Sequence, residues 1–487
     1  MTDMPDSSLT LGIDLGTSAV KIVALGRDGR VAAGGSGDFA TISTMPGQAE
    51  QDPADWLAAV AAAMAELDAA LKPRLPDWRS RVGAIGLAGQ LPTLVCLGER
   101  GPIGPAITWK DSRADAWAAK AIDARQRRAL YERTGMPIDG RYLGPMLRYH
   151  WPAHRDELRC VLSAKDYLCF ALTGVRVTDP STAAGFGTYD LASGAFSAEL
   201  CAQWDLPLHL LPPVRPAHAA AGPLSDAGAA LLGLAPGVPV TVGAADSVAG
   251  AFALCGLEEG IACVSMGSST IIIDAIRERR LDPATRYLLT PHVAEGWYGR
   301  EMDLLATGTG HRWVSGLFGW GEGALDGHAA QSEPGARGLT FAPYLAGGEQ
   351  GALWDPTLRG VLGGLTLQHG PRDIARAFLE GVYFEIRRCL DVLAESAPVR
   401  GLVVTGGIVE HAASLQMLAD VLDQPVLPAR AVSTAAEGAA RGAHALLGAD
   451  AVPPHHAAGA APARRVAPGA QRAVYGDLYA GYRALHH

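Results

Sequence analysis

No stretch of this 487-residue chain approaches the roughly 20 apolar residues, free of Gly, Pro and charge, that a membrane-spanning helix needs. C-x-x-C pairs are absent as well. The seven cysteines, at 96, 160, 169, 201, 255, 263 and 389, are odd in number and scattered. That spacing excludes a cysteine-based zinc site and fits reduced, buried thiols in a cytoplasm. The 14 histidines include no H-E-x-x-H or comparable ligand pattern, so they read as exposed or core residues. No basic tract offsets a net charge of −9 and a pI near 5.9, which argues against nucleic acid as a partner. Neither a P-loop nor a G-x-G-x-x-G following a strand occurs, which disfavours P-loop NTPases and Rossmann dinucleotide enzymes. The start, MTDMPDSSLT, is polar and acidic, and no secretory signal is expected from it.

What is present is a globular composition, 48% hydrophobic and 19% charged, in a chain too long for one ordinary core. Two large domains are expected, at 1–250 and 251–487. The opening stretch organises the first of them. An apolar strand runs through Gly12-Ile13-Asp14-Leu15 into a Gly16-Thr17-Ser18 tip and returns through Ala19-Val20-Lys21. Glycine lets the backbone reverse there, and the freed amides with the Thr17 and Ser18 hydroxyls can surround phosphate oxygens. Asp14, just before the turn, is placed to hold a phosphate-bound Mg²⁺, usually through water. A plain tight hairpin with an incidental acid is the alternative.

Residues 31–39 read as a third strand, and Asp52-Pro53 starts a helix with Trp56, Leu57, Val60, Met64 and Leu67 at helical spacing. Residues 82–88 are small and apolar throughout, a strand buried on both faces. Three strands, a helix and a strand open a ribonuclease H-like α/β domain, an order shared with the actin-like ATPases. Gly89-Gln90-Leu91-Pro92-Thr93 is the loop leaving the buried strand, a favoured place for ligand contacts. A second hairpin ends at Thr108, a helix is expected over 114–130, and helical pieces over 145–172. A strand at 240–245 ends directly on Asp246. Residues 261–273 then repeat the opening pattern around Gly267-Ser268-Ser269, and two such turns imply a duplicated fold with a cleft between the copies. A strand runs into Thr405-Gly406-Gly407, helices follow at 412–422 and 435–446, and a surface loop at 450–470 precedes a closing amphipathic helix.

Together these motifs resemble the FGGY carbohydrate kinase family over essentially the whole chain. The opening GIDLGTSAVK is similar to the family's first phosphate turn and Gly267-Ser268-Ser269 to its second. Gly-Ala-Ala-Asp-Ser-Val-Ala-Gly around Asp246 is similar to the segment holding the catalytic base, and Thr405-Gly406-Gly407 to the adenosine-binding turn. Pro145-x-x-Arg148-Tyr149-x-Trp151 and Gly360-x-Leu362-x-Gly364-Leu365 resemble the two longer signatures, with Arg148 where lysine is usual and Phe378 bulkier than usual. Residues 107–113 are most similar to xylulokinases. Xylulokinases usually carry Gly-Gln-Met-His-Gly where this chain has Gly89-Gln90-Leu91-Pro92-Thr93, so the usual sugar-touching histidine is missing.

The resemblance implies two ribonuclease H-like domains of the actin-like ATPase superfamily with an interdomain cleft. It also implies ATP and Mg²⁺, a small sugar or polyol partner, a cytoplasmic setting and a homodimer. The reaction implied is phosphorylation of a ketopentose such as D-xylulose, with another ketose, a polyol or an aldonate (ribulose, glycerol, erythritol, gluconate) as alternatives. An actin-like ATPase without sugar transfer is a further one. Asp246 is then the base, or else a helix N-cap. Gly16, Thr17, Ser18, Gly267, Ser268, Ser269, Gly308, Gly406 and Gly407 face the nucleotide. Lys21 either meets phosphate or stands exposed. Gln90, Leu91, Asp111 and Arg113 meet the sugar, unless Asp111 and Arg113 form a local ion pair. Trp109 either meets the sugar or fills the core, the reading favoured here, and Trp313 is expected in the core.

Overall fold

The computed structural model describes residues 8–484 apart from 152–154, 322, 347–350, 356, 449–453 and 455–464. Its first sheet is built on the opening hairpin. Leu9–Leu15 and Ala19–Gly26 pair antiparallel with Asp14 opposite Lys21, and Val31–Asp38 adds the edge. On the other side Val82–Gly89 runs parallel to Leu9–Leu15, with Gly89 opposite Leu15. Ala244–Ala245 pairs with the end of Val82–Gly89, Ala245 opposite Gly89. Parallel pairing therefore delivers three chain segments to one edge of the sheet: the Gly16 tip, the loop after Gly89, and Asp246.

The second sheet repeats the plan. Ile261–Met266 and Thr270–Ile276 form a hairpin closed by Met266 opposite Thr270, and Gly401–Gly406 lies parallel to the first of them, with Gly406 opposite Met266. Tyr298–Leu304, Leu288–Pro291 and Val426–Pro428 complete it. The chain is thus two copies of one ribonuclease H-like α/β plan, as the paired turns predict.

Helices bury the sheets through short-range signals that the sequence carries openly. Pro53–Leu71 starts where the Asp52 side chain accepts the Ala54 N–H at 2.8 Å, with proline in the first turn, and turns Trp56, Val60, Met64 and Leu67 into the core. Thr434–Ala443, sequence TAAEGAARGA, belongs to the second half of the chain but packs on the first sheet. The approach is close: a Cβ on Gly12 would lie 1.8 Å from the Ala436 carbonyl oxygen, so only glycine fits. The same helix crosses Asp246–Cys255, and a division at residue 250 falls inside the latter.

Three local expectations are corrected. The helix over 114–130 is two helices, Asp115–Ala121 and Ala124–Thr134. Asp123 breaks the run because it caps the second, its carboxylate taking the Gln126 N–H at 2.8 Å while Gln126 takes the Asp123 N–H at 2.9 Å. The strand at 240–245 is split into Pro239–Thr241 and Ala244–Ala245. Between them the Val242 carbonyl accepts from Lys165 Nζ at 3.0 Å and the Gly243 N–H donates to Ala217 at 2.9 Å, so neither joins the ladder. Trp313 is not in the core. It is 50% exposed beside Leu317 on Gly308–Leu317, whose inward face is taken by Gly310 and Val314. Most of the loop at 450–470 lies outside the described residues, and Arg472–Ala484 closes the chain with Tyr475, Tyr479 and Tyr482 buried. Among the described residues no helix is long and apolar enough to cross a membrane.

Candidate active site

Three spaces adjoin one another, two walled by both halves of the chain and the third by the second half alone. The first, of about 200 Å³, is walled by Thr17, Leu91, Trp109, Arg141, Asp246 and Glu301 among others. The second, about 320 Å³, has Asp14, Lys21, Asp246, Gly267, Gly406 and Ser433 on its walls. The third, about 440 Å³, is lined by Gly267, Ser268, Gly308, Asp326, Phe378 and His411, with Gly407. Shared walls fix their order: Asp246 borders the first and second, Gly267 the second and third. A small cavity bordered by three acids, a strip between two Gly/hydroxyl turns, and a larger apolar-sided pocket therefore stand in line.

Asp246 does not cap its helix. Ala245 holds the cap position, and the Asp246 carboxylate accepts the adjacent Ser247 N–H, at 2.9 Å. Burial pushes its carboxyl up to about 8, and the negative charge of Asp14 adds to the rise. A network behind the strand end holds it in place. The Ala245 N–H donates to Ser181 Oγ at 2.9 Å, and Ser181 bonds Asp179. Lys165, fully buried, contacts Asp166 at 2.8 Å and Asp179 at 3.2 Å.

Asp14 is 8% exposed. One carboxylate oxygen lies 3.4 Å from Ser433 Oγ; the other, Oδ1, has no partner among the described residues. Burial raises its carboxyl to about 6 against the opposing pull of Lys21. An orphaned buried oxygen beside a phosphate-sized space suits a hydrated divalent cation, so the residues fit Mg²⁺. Lys21 is exposed to that same space. Gly406, at φ 97°, brings the backbone close: a Cβ there would lie 2.0 Å from the Met266 carbonyl oxygen.

The other expected residues divide. Thr17, Leu91 and Ser269 reach the first space, and Gly267, Ser268, Gly308 and Gly407 the third. Gly16 and Ser18 shape the tip, the Gly16 N–H donating to Ala19 at 3.1 Å while Ser18 is exposed. Trp109, expected in the core, is half-buried on the wall of the first space, its indole N–H 3.3 Å from Thr17 Oγ1. Gln90 is 1% exposed and off that wall; its amide donates to Gln51 at 2.8 Å, and Gln51 donates to the Thr17 carbonyl at 2.8 Å. It braces the Gly16 tip from behind and does not line the first space. Asp111 and Arg113 take the ion-pair alternative: Asp111 is 1% exposed, held by Arg113 Nε at 2.9 Å and the Ala49 N–H at 2.9 Å, and Arg113 also reaches Glu50 at 2.5 Å. Neither lines the cavity.

Sequence reasoning missed Arg141, Tyr142, Glu301, Asp303 and Ser433. Only one signal was available. Glu301 and Asp303 sit two apart in one strand, so they share a face.

Residues 9–253 match the model of the N-terminal domain of the FGGY family of carbohydrate kinases, and residues 262–447 that of its C-terminal domain. The chain belongs to this family. It is a carbohydrate kinase, and kinases of the family use ATP as phosphate donor. A xylulose kinase of Bacillus subtilis is 30% identical, over 88% of this chain and 86% of its own length. A glycerol kinase of Gloeobacter violaceus is also 30% identical, over 89% and 87%. The crystal structure of xylulose kinase from Rhodospirillum rubrum superposes with a TM-score of 0.87 at 31% identity, covering 98% of each chain.

The raised carboxyl of Asp246 makes a pH-dependent prediction. With its carboxyl near 8 in the folded protein against 3.8 ordinarily, Asp246 is protonated at neutral pH in the free enzyme. kcat/KM for the acceptor is expected to climb about tenfold per pH unit toward 8 and then level, as titration of one free-enzyme base requires. Stability moves oppositely. The native state binds the extra proton between the two values, so the group's contribution is whole below 3.8, is lost as pH rises and is gone above about 8. Asp246→Asn should therefore melt higher than wild type at alkaline pH and match it in acid; equal melting temperatures throughout would contradict the raised carboxyl.

Proposed function

We propose that this kinase transfers the γ-phosphate of ATP to the terminal hydroxyl of a neutral ketose, a ketopentose such as D-xylulose giving D-xylulose 5-phosphate. The observation that carries the reading is the position of Asp246 on the wall common to the small acid-bordered cavity and the strip between the two turns. A hydroxyl held in the first space meets the base on one side and phosphorus on the other. Asp246 takes the hydroxyl proton, the oxygen attacks the γ-phosphorus, and the bond to the β-phosphate oxygen breaks to release ADP. Thr17, Ser268 and Ser269 donate hydrogen bonds toward phosphate oxygens from the two turns, and Lys21 adds positive charge beside them. Asp14 would hold Mg²⁺ through water, which supplies charge neutralisation on the phosphates. The adenosine lies in the third space, against Phe378, Ile408 and His411. A cavity of about 200 Å³ encloses a small polyol, well below the roughly 300–1,000 Å³ of drug-sized sites.

Relatives named for xylulose and for glycerol stand at equal identity, so the acceptor is assigned on the cavity. Its carboxylates disfavour an aldonate, and Leu91 and Pro92 offer an apolar face to C–H edges. A homodimer and a reducing, cytoplasmic setting belong to this reading; the seven buried cysteines, none in a disulfide, fit the second. An acceptor panel read by coupled ADP release tests it. D-xylulose or a close ketose should give the highest kcat/KM, and preference for an aldonate would sink the assignment. Asp14→Asn is expected to raise the Mg²⁺ requirement for turnover about tenfold or more while leaving acceptor KM within about twofold; an unchanged Mg²⁺ dependence in a magnesium titration would remove Asp14 from the cation site.

A further inference from the structure

We propose that Glu301 and Asp303, both carried by the second sheet, are specificity-determining contacts to the acceptor's distal hydroxyls and select neutral over anionic acceptors. The inference rests on the phosphotransfer reading of the cleft. Its basis is the distribution of polar groups around the acceptor cavity. The segment after the buried strand 82–89 contributes Leu91 and Pro92, neither of which has a side-chain hydrogen-bonding group. Recognition of several hydroxyls, each needing a donor and an acceptor in fixed positions, must come from elsewhere on the wall.

Tyr298–Leu304 supplies it. Alternation along the strand sends Met302 into the core, fully buried, and turns Glu301 and Asp303 together to the cavity. Glu301 is 8% exposed and accepts from Ser247 Oγ at 3.1 Å, beside the base, so it reads the acceptor near the reacting end. Asp303 Oδ1 is buried on the same wall and has no hydrogen-bond partner among the described residues. A buried carboxylate oxygen left open in this way is destabilising unless a ligand hydroxyl completes it. Burial pushes both carboxyls upward, with the Asp303 charge adding to the rise at Glu301 and Arg141 opposing it at Asp303, which lets the pair hold a proton and offer donor and acceptor at once.

The charge balance sets the preference. Asp246, Glu301 and Asp303 face one guanidinium, Arg141, and that one is already clamped by Asp139, Nε lying 3.1 and 3.0 Å from its two oxygens. An acceptor carboxylate would enter beside three acids with, among the described residues, no unclamped cation on the wall to meet it. A neutral polyol adds no charge. Because Asp246 ends a strand of the first sheet and the two acids belong to the second, a bound acceptor also joins the two halves across the cleft.

The test compares wild type with Asp303→Asn and Glu301→Gln, each isosteric, on D-xylulose, glycerol and D-gluconate with saturating ATP and ADP release as the readout. Each variant is expected to raise KM for its best neutral acceptor about tenfold or more while KM for ATP stays within about twofold. The double variant should also raise the gluconate-to-xylulose ratio of kcat/KM by about tenfold or more, a change a merely structural role would not produce. Melting curves decide whether a loss reflects folding, and Asp303→Asn, which removes no hydrogen bond to Oδ1, keeps the question answerable if Glu301→Gln melts early. Wild-type KM and an unchanged acceptor ratio in Asp303→Asn would overturn the inference with the kinase reading intact. ATP hydrolysis by wild type that ignores every acceptor would overturn the kinase reading and this inference with it.

Discussion

Asp246→Asn is expected to lose about 10²–10⁴-fold in kcat for phosphoryl transfer, the usual contribution of a positioned general base. ATP affinity should stay within about twofold, because Asn keeps the side-chain acceptor for the Ser247 N–H and removes only the oxygen that takes the proton. The rate falls and nucleotide binding does not, since the side chain borders the acceptor cavity and the phosphate strip but not the nucleoside pocket. Steady-state turnover with calorimetric ATP binding measures both. Wild-type kcat in the variant would remove Asp246 from the chemistry and leave its burial next to Asp14 without a function.

Lys165→Met should destabilise the protein by about 3–5 kcal/mol, the range for breaking a buried ion pair from one side. Lys165, Asp166 and Asp179 are all fully buried, and Lys165 Nζ also donates to the Val242 carbonyl at 3.0 Å. Methionine fills the volume but strands two carboxylates in a site that burial already makes hostile to charge; Asp166 sits above its ordinary carboxyl range even with the lysine present. Urea unfolding at neutral pH reads the change, and a loss under about 1 kcal/mol would show that the triad carries little of the fold. The same substitution loosens the segment ending on Asp246, so kcat should fall further than ATP affinity.

Much of this was legible in the sequence wherever local backbone chemistry decides. The Gly16 and Gly267 tips, the capped start at Asp52-Pro53 and the buried strand before Gly89 each carry their own signal, and the duplicated plan follows from the tips alone. Asp246 could be placed because it directly follows an apolar run that must be a buried strand. What failed depended on partners distant in the chain. Asp111 and Arg113 are polar residues beside the expected sugar loop, yet Ala49 and Glu50, some sixty positions earlier, take them up. Gln90 is turned away by Gln51 in the same manner. Trp109 and Trp313 were both expected in the core, because a tryptophan's burial depends on which face its element presents, and neither short segment shows that periodically. Glu301 and Asp303 had a readable spacing, but their use depends on a cavity closed by the other half of the chain.

The central claim is that phosphate moves directly from ATP to a neutral sugar hydroxyl in the cleft beside Asp246. Single turnover with γ-³²P-labelled ATP and D-xylulose tests it most directly. Label is expected in a phosphate monoester of the sugar's terminal hydroxyl, one for each ADP formed, and only when the sugar is present. Label released as inorganic phosphate at the same rate with and without sugar would contradict it.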